Sequence, residues 1–110
     1  MKNVEKVAEL FRKLLVDGWE RAVISGEVYD GGATYDFQFR TKVNGEYINH
    51  PRRDCDTAAI CYEAAHEMAN DFQYKFTMVL LPNGEVTVDE GKCCFDYDED
   101  DDEWEKKYLT

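Results

Sequence analysis

Positive charge is what this sequence has least of. Thirteen lysines and arginines stand against 24 aspartates and glutamates, a net charge of −11 over 110 residues. A surface with that balance repels phosphate and anionic headgroups and attracts cationic proteins over a long range, which argues against direct contact with nucleic acid or membrane. Long apolar runs are missing too, so no bilayer span is expected. The opening Met1-Lys2-Asn3-Val4-Glu5-Lys6 is charged and amphipathic and has no signal-peptide apolar core, which points to the cytoplasm.

Catalytic and metal-binding patterns are equally sparse. His50 and His66 are the two imidazoles, and neither sits in a nucleophile or metal motif. Ser25-Gly26 lacks the flanking glycines of a nucleophile elbow, Gly31-Gly32 lacks the lysine and helix of a phosphate loop, and Arg52-Arg53 is too short for a basic patch. Cys55, Cys61, Cys93 and Cys94 offer no C-x-x-C spacing, and adjacent Cys93-Cys94 suits a disulfide scaffold poorly. Reduced, partly buried thiols are expected. The sequence assigns no catalytic residue, metal ligand or cofactor.

What the chain does have is a core. At 44% hydrophobic and 14% aromatic it is too apolar for disorder, and its length suits one domain spanning residues 1–110. Val4, Val7, Ala8, Phe11, Leu14 and Leu15 recur at helical spacing after Asn3, an expected N-cap, and before Gly18, an expected stop. Trp19 to Tyr29 reads as a strand with Trp19, Arg21 and Val23 on one face and Ala22, Ile24 and Val28 on the other, closed by the turn Asp30-Gly31-Gly32. Tyr35, Phe37, Phe39, Thr41 and Val43 share one face of the next strand, and Asn44-Gly45 turns into a third, Glu46 to Asn49. The proline of His50-Pro51-Arg52-Arg53-Asp54 makes a loop.

Asp56 is an expected N-cap for a second helix, near residues 57–71, in which Ile60, Cys61, Ala64, Ala65 and Met68 face inward, Phe72 continuing their spacing, and Glu63 and Glu67 face outward. Tyr74 to Leu81, the turn Pro82-Asn83-Gly84, and Glu85 to Asp89 form a hairpin with Val86 and Val88 inward. Gly91 marks a bulge before Cys93 to Tyr97 continue the sheet. The predicted fold is α+β, an antiparallel sheet of about five strands with helices packed on one face, in the order α-β-β-β-α-β-β-α.

The chain ends on its most distinctive stretch. Eight of the eleven residues from Phe95 to Glu105 are carboxylates: Asp96, Asp98, Glu99, Asp100, Asp101, Asp102, Glu103 and Glu105. The other three are Phe95, Tyr97 and Trp104, for which a purely solvating tail has little use. Asp96, Asp98 and Asp100 have the alternate spacing of a calcium loop, but Asp101 stands where its glycine would be and Lys107 where its glutamate would be. Trp104 and Tyr108, four apart, fall on one face of a short terminal helix that would anchor the acidic segment to the body.

Leu80-Leu81-Pro82-Asn83-Gly84-Glu85-Val86, then Phe95-Asp96-Tyr97-Asp98, then Trp104-Glu105-Lys106-Lys107-Tyr108-Leu109 resembles the ending of the YezG-like immunity proteins. In these proteins a strand, an Asp/Asn-Gly turn, a second strand and an acidic F-D-Y-D-like stretch lead to a W-x-x-x-Y-L close. The N-terminal helix leading into Trp19 and the aromatic strand Tyr35 to Phe39 are similar as well. The chain departs from the pattern at Cys93-Cys94 and in its alanine-rich second helix. The resemblance implies a non-catalytic bacterial antitoxin, encoded beside a polymorphic or contact-dependent toxin, that binds the toxin's C-terminal domain in the cytoplasm. Charge points the same way, since a basic nuclease cleft is complementary to the eight carboxylates, the expected toxin-binding residues. The alternative is a small acidic regulatory or adaptor module with no toxin partner.

Overall fold

A computed structural model describes residues 1–49, 55–68, 73–91, 93–94 and 102–110, with the backbone alone at Cys55 and Asp102. In chain order the elements are α1 (Val4–Arg12), β1 (Trp19–Tyr29), a 3-10 turn (Asp30–Gly32), β2 (Thr34–Val43), β3 (Glu46–Asn49), α2 (Cys55–Met68), β4 (Gln73–Leu80), β5 (Val86–Glu90) and α3 (Asp102–Tyr108). The strands form one antiparallel sheet in the order β3-β2-β1-β4-β5, giving the α+β class and element order that the sequence implies.

Strand alternation divides the sheet into two faces. Ala22, Ile24 and Val28 of β1, Phe39 of β2, and Phe76, Met78 and Leu80 of β4 point to one side, where Val7, Ala8, Phe11 and Leu14 meet Cys61, Ala64, Ala65 and Met68 of α2. Phe11 is the knob of this core, edge-on to Phe37 and Phe39 with ring centroids 5.7 Å away in each case. The small residues of α2 let it lie close to the sheet and to α1.

The opposite face carries a second core, in which Val23 of β1 and Val79 of β4 are covered by Cys94, Trp104 and Tyr108. Thus α1 and α2 share one face as expected, while α3 lies on the other. The reason is geometric: the residues between those on the first face, Val23, Ser25, Thr77 and Val79, make a buried strip that the two long helices cannot reach.

Several local expectations need correction. Asn3 is the N-cap residue of α1, its carbonyl accepting the Val7 N–H at 3.0 Å, but its side chain does not cap the helix: the residue sits in the left-handed region (φ 55) and its amide donates to Glu67 Oε2 at 2.8 Å. The helix closes before Gly18 with i to i−3 bonds, Lys13 N–H to the Leu10 carbonyl and Leu14 N–H to the Phe11 carbonyl. Trp19 packs with the first core instead of sharing the Arg21 and Val23 face, because a register shift between Trp19 and Arg21 inserts one residue and flips the alternation. Asp56 lies inside the first turn of α2, which begins at Cys55, so its carboxylate meets the helix dipole and is not the cap. Of the second helix's expected end, residues 69–72 fall outside the described residues, Phe72 among them.

The largest correction concerns the stretch after β5. Gly91 takes a positive φ of 88°, and its N–H closes on the Lys75 carbonyl at 2.9 Å, which turns the chain off the sheet edge. Cys93 and Cys94 therefore do not continue β5, while residues 95–97 lie outside the described residues.

Gly32 makes the tightest junction between sheet and helix. Its φ is +108°, and a Cβ there would meet the His66 Cα at 2.8 Å and the Ala65 carbonyl at 3.0 Å. Both obstacles are backbone, so nothing can swing aside. Gly32→Ala is expected to destabilise the domain by about 1–3 kcal/mol through conformational strain alone, with the clash adding to it. Chemical denaturation should show a lower midpoint with an unchanged slope.

Candidate partner-binding surface

The second core fixes α3 in place. Trp104, 1% exposed, lies between Val23 and Val79, and its indole N–H donates to Thr77 Oγ1 at 3.4 Å. Tyr108, one helical turn later, donates its hydroxyl to Asp89 Oδ2 on β5 at 2.5 Å. Its backbone carbonyl accepts from the Arg21 guanidinium, 3.0 Å from Nη2 and 3.3 Å from Nε. That guanidinium satisfies a carbonyl at the helix end where cations are favoured. Beyond the helix the chain crosses the sheet, where the Thr110 carbonyl accepts from Lys42 Nζ at 3.2 Å and from the Tyr47 hydroxyl at 3.1 Å.

Beneath this helix the polar groups are matched. Ser25 Oγ donates to the Phe76 carbonyl at 3.0 Å, accepts the Cys94 N–H at 2.9 Å, and lies 2.8 Å from Thr77 Oγ1. This network accounts for a serine in the centre of β1: it fastens the chain leaving β5 to the sheet floor. Beside it Cys93 Sγ donates to Glu27 Oε1 at 3.6 Å, and Lys75 pairs with the same carboxylate at 3.5 Å.

Of the carboxylates expected to face a partner, Asp96, Asp98, Glu99, Asp100 and Asp101 lie outside the described residues. Asp102 opens α3, Glu103 is exposed on its first turn, and Glu105 is half-buried. Acidic residues at this end of a helix meet the positive end of its dipole, and Lys106 and Lys107 occupy the opposite end, so the short helix is charged in the favourable sense. Arg21, Asp89, Ser25 and Thr77 were not signalled as parts of the anchor by any local pattern, since each reaches the terminal segment from a distant strand.

On the other side of the molecule, α1 and α2 are joined by Lys6 Nζ and Glu67 Oε1 at 2.9 Å, with Asn3 on the second oxygen. The hydrogen bond to Glu67 raises Lys6 above the ordinary lysine value, and the same bond lowers Glu67. His66 is exposed, its Nδ1–H donating to the Tyr62 carbonyl at 3.0 Å; His50 lies outside the described residues. Cys61, Cys93 and Cys94 are buried thiols. Among the described residues, no group of three His, Cys, Asp or Glu side chains is placed to hold a metal ion, and no helix is long and apolar enough to cross a membrane.

Burial pushes the Cys61 thiol up to about 11 and the Tyr74 phenol up to about 12, the Tyr74 hydroxyl being buried with no hydrogen-bond partner among the described residues. Both groups bind their proton more tightly folded than unfolded. Their stabilising contribution is therefore complete below the unfolded thiol value and is lost as pH rises from about 9 towards 11 and 12. The melting temperature should fall across that alkaline range, and Cys61→Ala should flatten the part of the decline that begins near pH 9.

No family model matches the chain, and no curated protein matches it.

Proposed function

We propose that this chain is a YezG-like immunity protein that binds and neutralises the C-terminal domain of a cognate bacterial toxin in the cytoplasm, without catalysis of its own. The observation that carries this reading is the anchoring of α3. The acidic stretch ends in a helix held by a buried tryptophan, a tyrosine bonded to Asp89, and an arginine on its last carbonyl. A tail kept for solubility needs no such attachment. Carboxylates on a fixed helix are preorganised, so less entropy is lost when a cationic surface docks on them.

The net charge of −11 and the run from Asp96 to Glu105 supply the complementary field for a basic nuclease, whose cleft must itself attract phosphate. Long-range attraction speeds encounter, which matters for an inhibitor that competes with damage. The non-catalytic part of the proposal is supported by the chemistry of the interior. Ser25 is engaged with Thr77 and Cys94, the described thiols are buried, and the His66 nitrogen is bonded to a main-chain carbonyl.

The test is genetic and physical together. The product of the neighbouring reading frame, expected to end in a toxic domain, should copurify with this chain and lose its toxicity when the two are coexpressed. Protection should survive His50→Gln with His66→Gln. A solitary gene, or a neighbour that neither binds nor kills, would instead favour the small acidic regulatory or adaptor module.

A further inference from the structure

The outer face of α2 is unlike the rest of this highly charged molecule. Its fourteen residues include no lysine or arginine, and its exposed residues Ala58, Ala59, Tyr62 and His66 make an uncharged stripe bordered by the exposed carboxylates Asp56 and Glu63. Tyr62 is 53% exposed, one of the two large hydrophobic side chains that the described surface leaves open. It is also held in place: its ring packs against His66 with centroids 4.2 Å apart, while the His66 Nδ1–H bonds the Tyr62 carbonyl. On one side Tyr35 donates its hydroxyl to the Ala58 carbonyl, fixing the helix to β2. On the other side stand Glu63 and, paired with Lys6, Glu67, with Asp56 in the first turn.

A helix whose inner face is packed and whose outer face is small and aromatic has more apolar surface than a solvated helix needs. The arrangement is that of an interface: a preorganised aromatic centre with alanines flat enough for close approach, and a charged rim. The rim decides the occupant. Asp56, Glu63 and Glu67 have one sign, and across a two-fold axis they would face their own copies, so a second molecule of this chain is disfavoured. A cationic protein gains on both counts.

We infer that the outer face of α2, centred on Tyr62 and rimmed by Asp56 and Glu63, is a docking surface for a basic protein, with Tyr62 inserted into an apolar pocket of that partner. This rests on the immunity reading and deepens it: the acidic end beside α3 governs encounter, whereas the Tyr62 face governs how long the complex lasts.

The experiment measures association and dissociation rates of the full chain against the catalytically inactivated C-terminal domain encoded by the neighbouring frame. Tyr62→Ala is expected to weaken binding about 30- to 100-fold, nearly all of it in dissociation, with Tyr62→Phe close to wild type. Ala59→Arg, which places bulk and positive charge at the centre, should weaken it at least about tenfold. Both positions point to solvent, and matching melting curves would show that the fold is retained. Wild-type binding with all these variants unchanged would overturn the docking surface and leave the immunity reading standing. Absence of wild-type binding would overturn both. A wild-type dimer in sedimentation that Ala59→Arg converts to monomer would show that a second copy occupies the face and would overturn the basic partner.

Discussion

Trp104→Ala should remove about 3–5 kcal/mol of stability, a large share of what a domain of this size possesses. The indole is 1% exposed and fills the centre of the core made with Val23, Val79, Cys94 and Tyr108. Little else is available to collapse into the hole, because the floor is sheet and the roof is a seven-residue helix. Loss of the indole also leaves Thr77 Oγ1 without that donor. A helix of seven residues does not persist by its own propensity, so detachment should melt it. Two readouts separate the effects. Denaturation gives the loss of stability, and hydrogen exchange should show residues 102–108 opening first while the α1 and α2 amides stay protected. Equal loss of protection in α1 and α3 would mean that the two cores are one cooperative unit.

Neutralising Asp98 to Glu103 to Asn and Gln is the second large effect, read in kinetics. A single-sign cluster acts collectively on encounter, and removing it should lower the association rate about tenfold or more at low salt and flatten its salt dependence. Dissociation should change little for residues at the rim. A carboxylate desolvated against lysine or arginine would behave differently, its truncation costing about 2–5 kcal/mol of binding through faster dissociation. The comparison is wild type against the neutralised variant at low and moderate salt, with the toxin domain as ligand. Unchanged rates and salt slope in a folded variant would make the acidic end a solubilising surface and place recognition elsewhere.

The architecture was legible wherever one face of an element is wet. On β2, Tyr35, Phe37, Phe39 and Thr41 alternate with Asp36, Gln38, Arg40 and Lys42, and the register is the one that alternation demands. In α1 the stripe Val7, Ala8 and Phe11, continued by Leu14 in the turn that follows, is buried as its spacing implies. Alternation carries no such message for β1 and β4, which are covered on both sides: Val23, Ser25, Thr77 and Val79 look like the wet half of a strand and are core. The position of α3 was hidden for that reason. Trp19 was misassigned because one inserted residue reverses a period of two. The anchoring role of Trp104 and Tyr108 was readable from their four-residue spacing, whereas Arg21 and Asp89, their partners on the sheet, had no local signal. The exposed face of α2 was missed because alanines and one tyrosine fit a buried stripe and an exposed one equally well.

The two cores also close at different times. Arg21 reaches Tyr108 across 87 residues of sequence, and Cys94 reaches Ser25 across 69. During synthesis α1, α2 and the whole sheet can assemble once β5 has emerged, yet Val23 and Val79 stay wet until α3 has followed and docked. Such a nascent chain exposes an apolar strip beside unpaired strand edges, the combination most prone to stick to its neighbours. The run of carboxylates arrives immediately ahead of the helix that seals the strip, so mutual repulsion between chains is at its strongest when the second face is the last part still open.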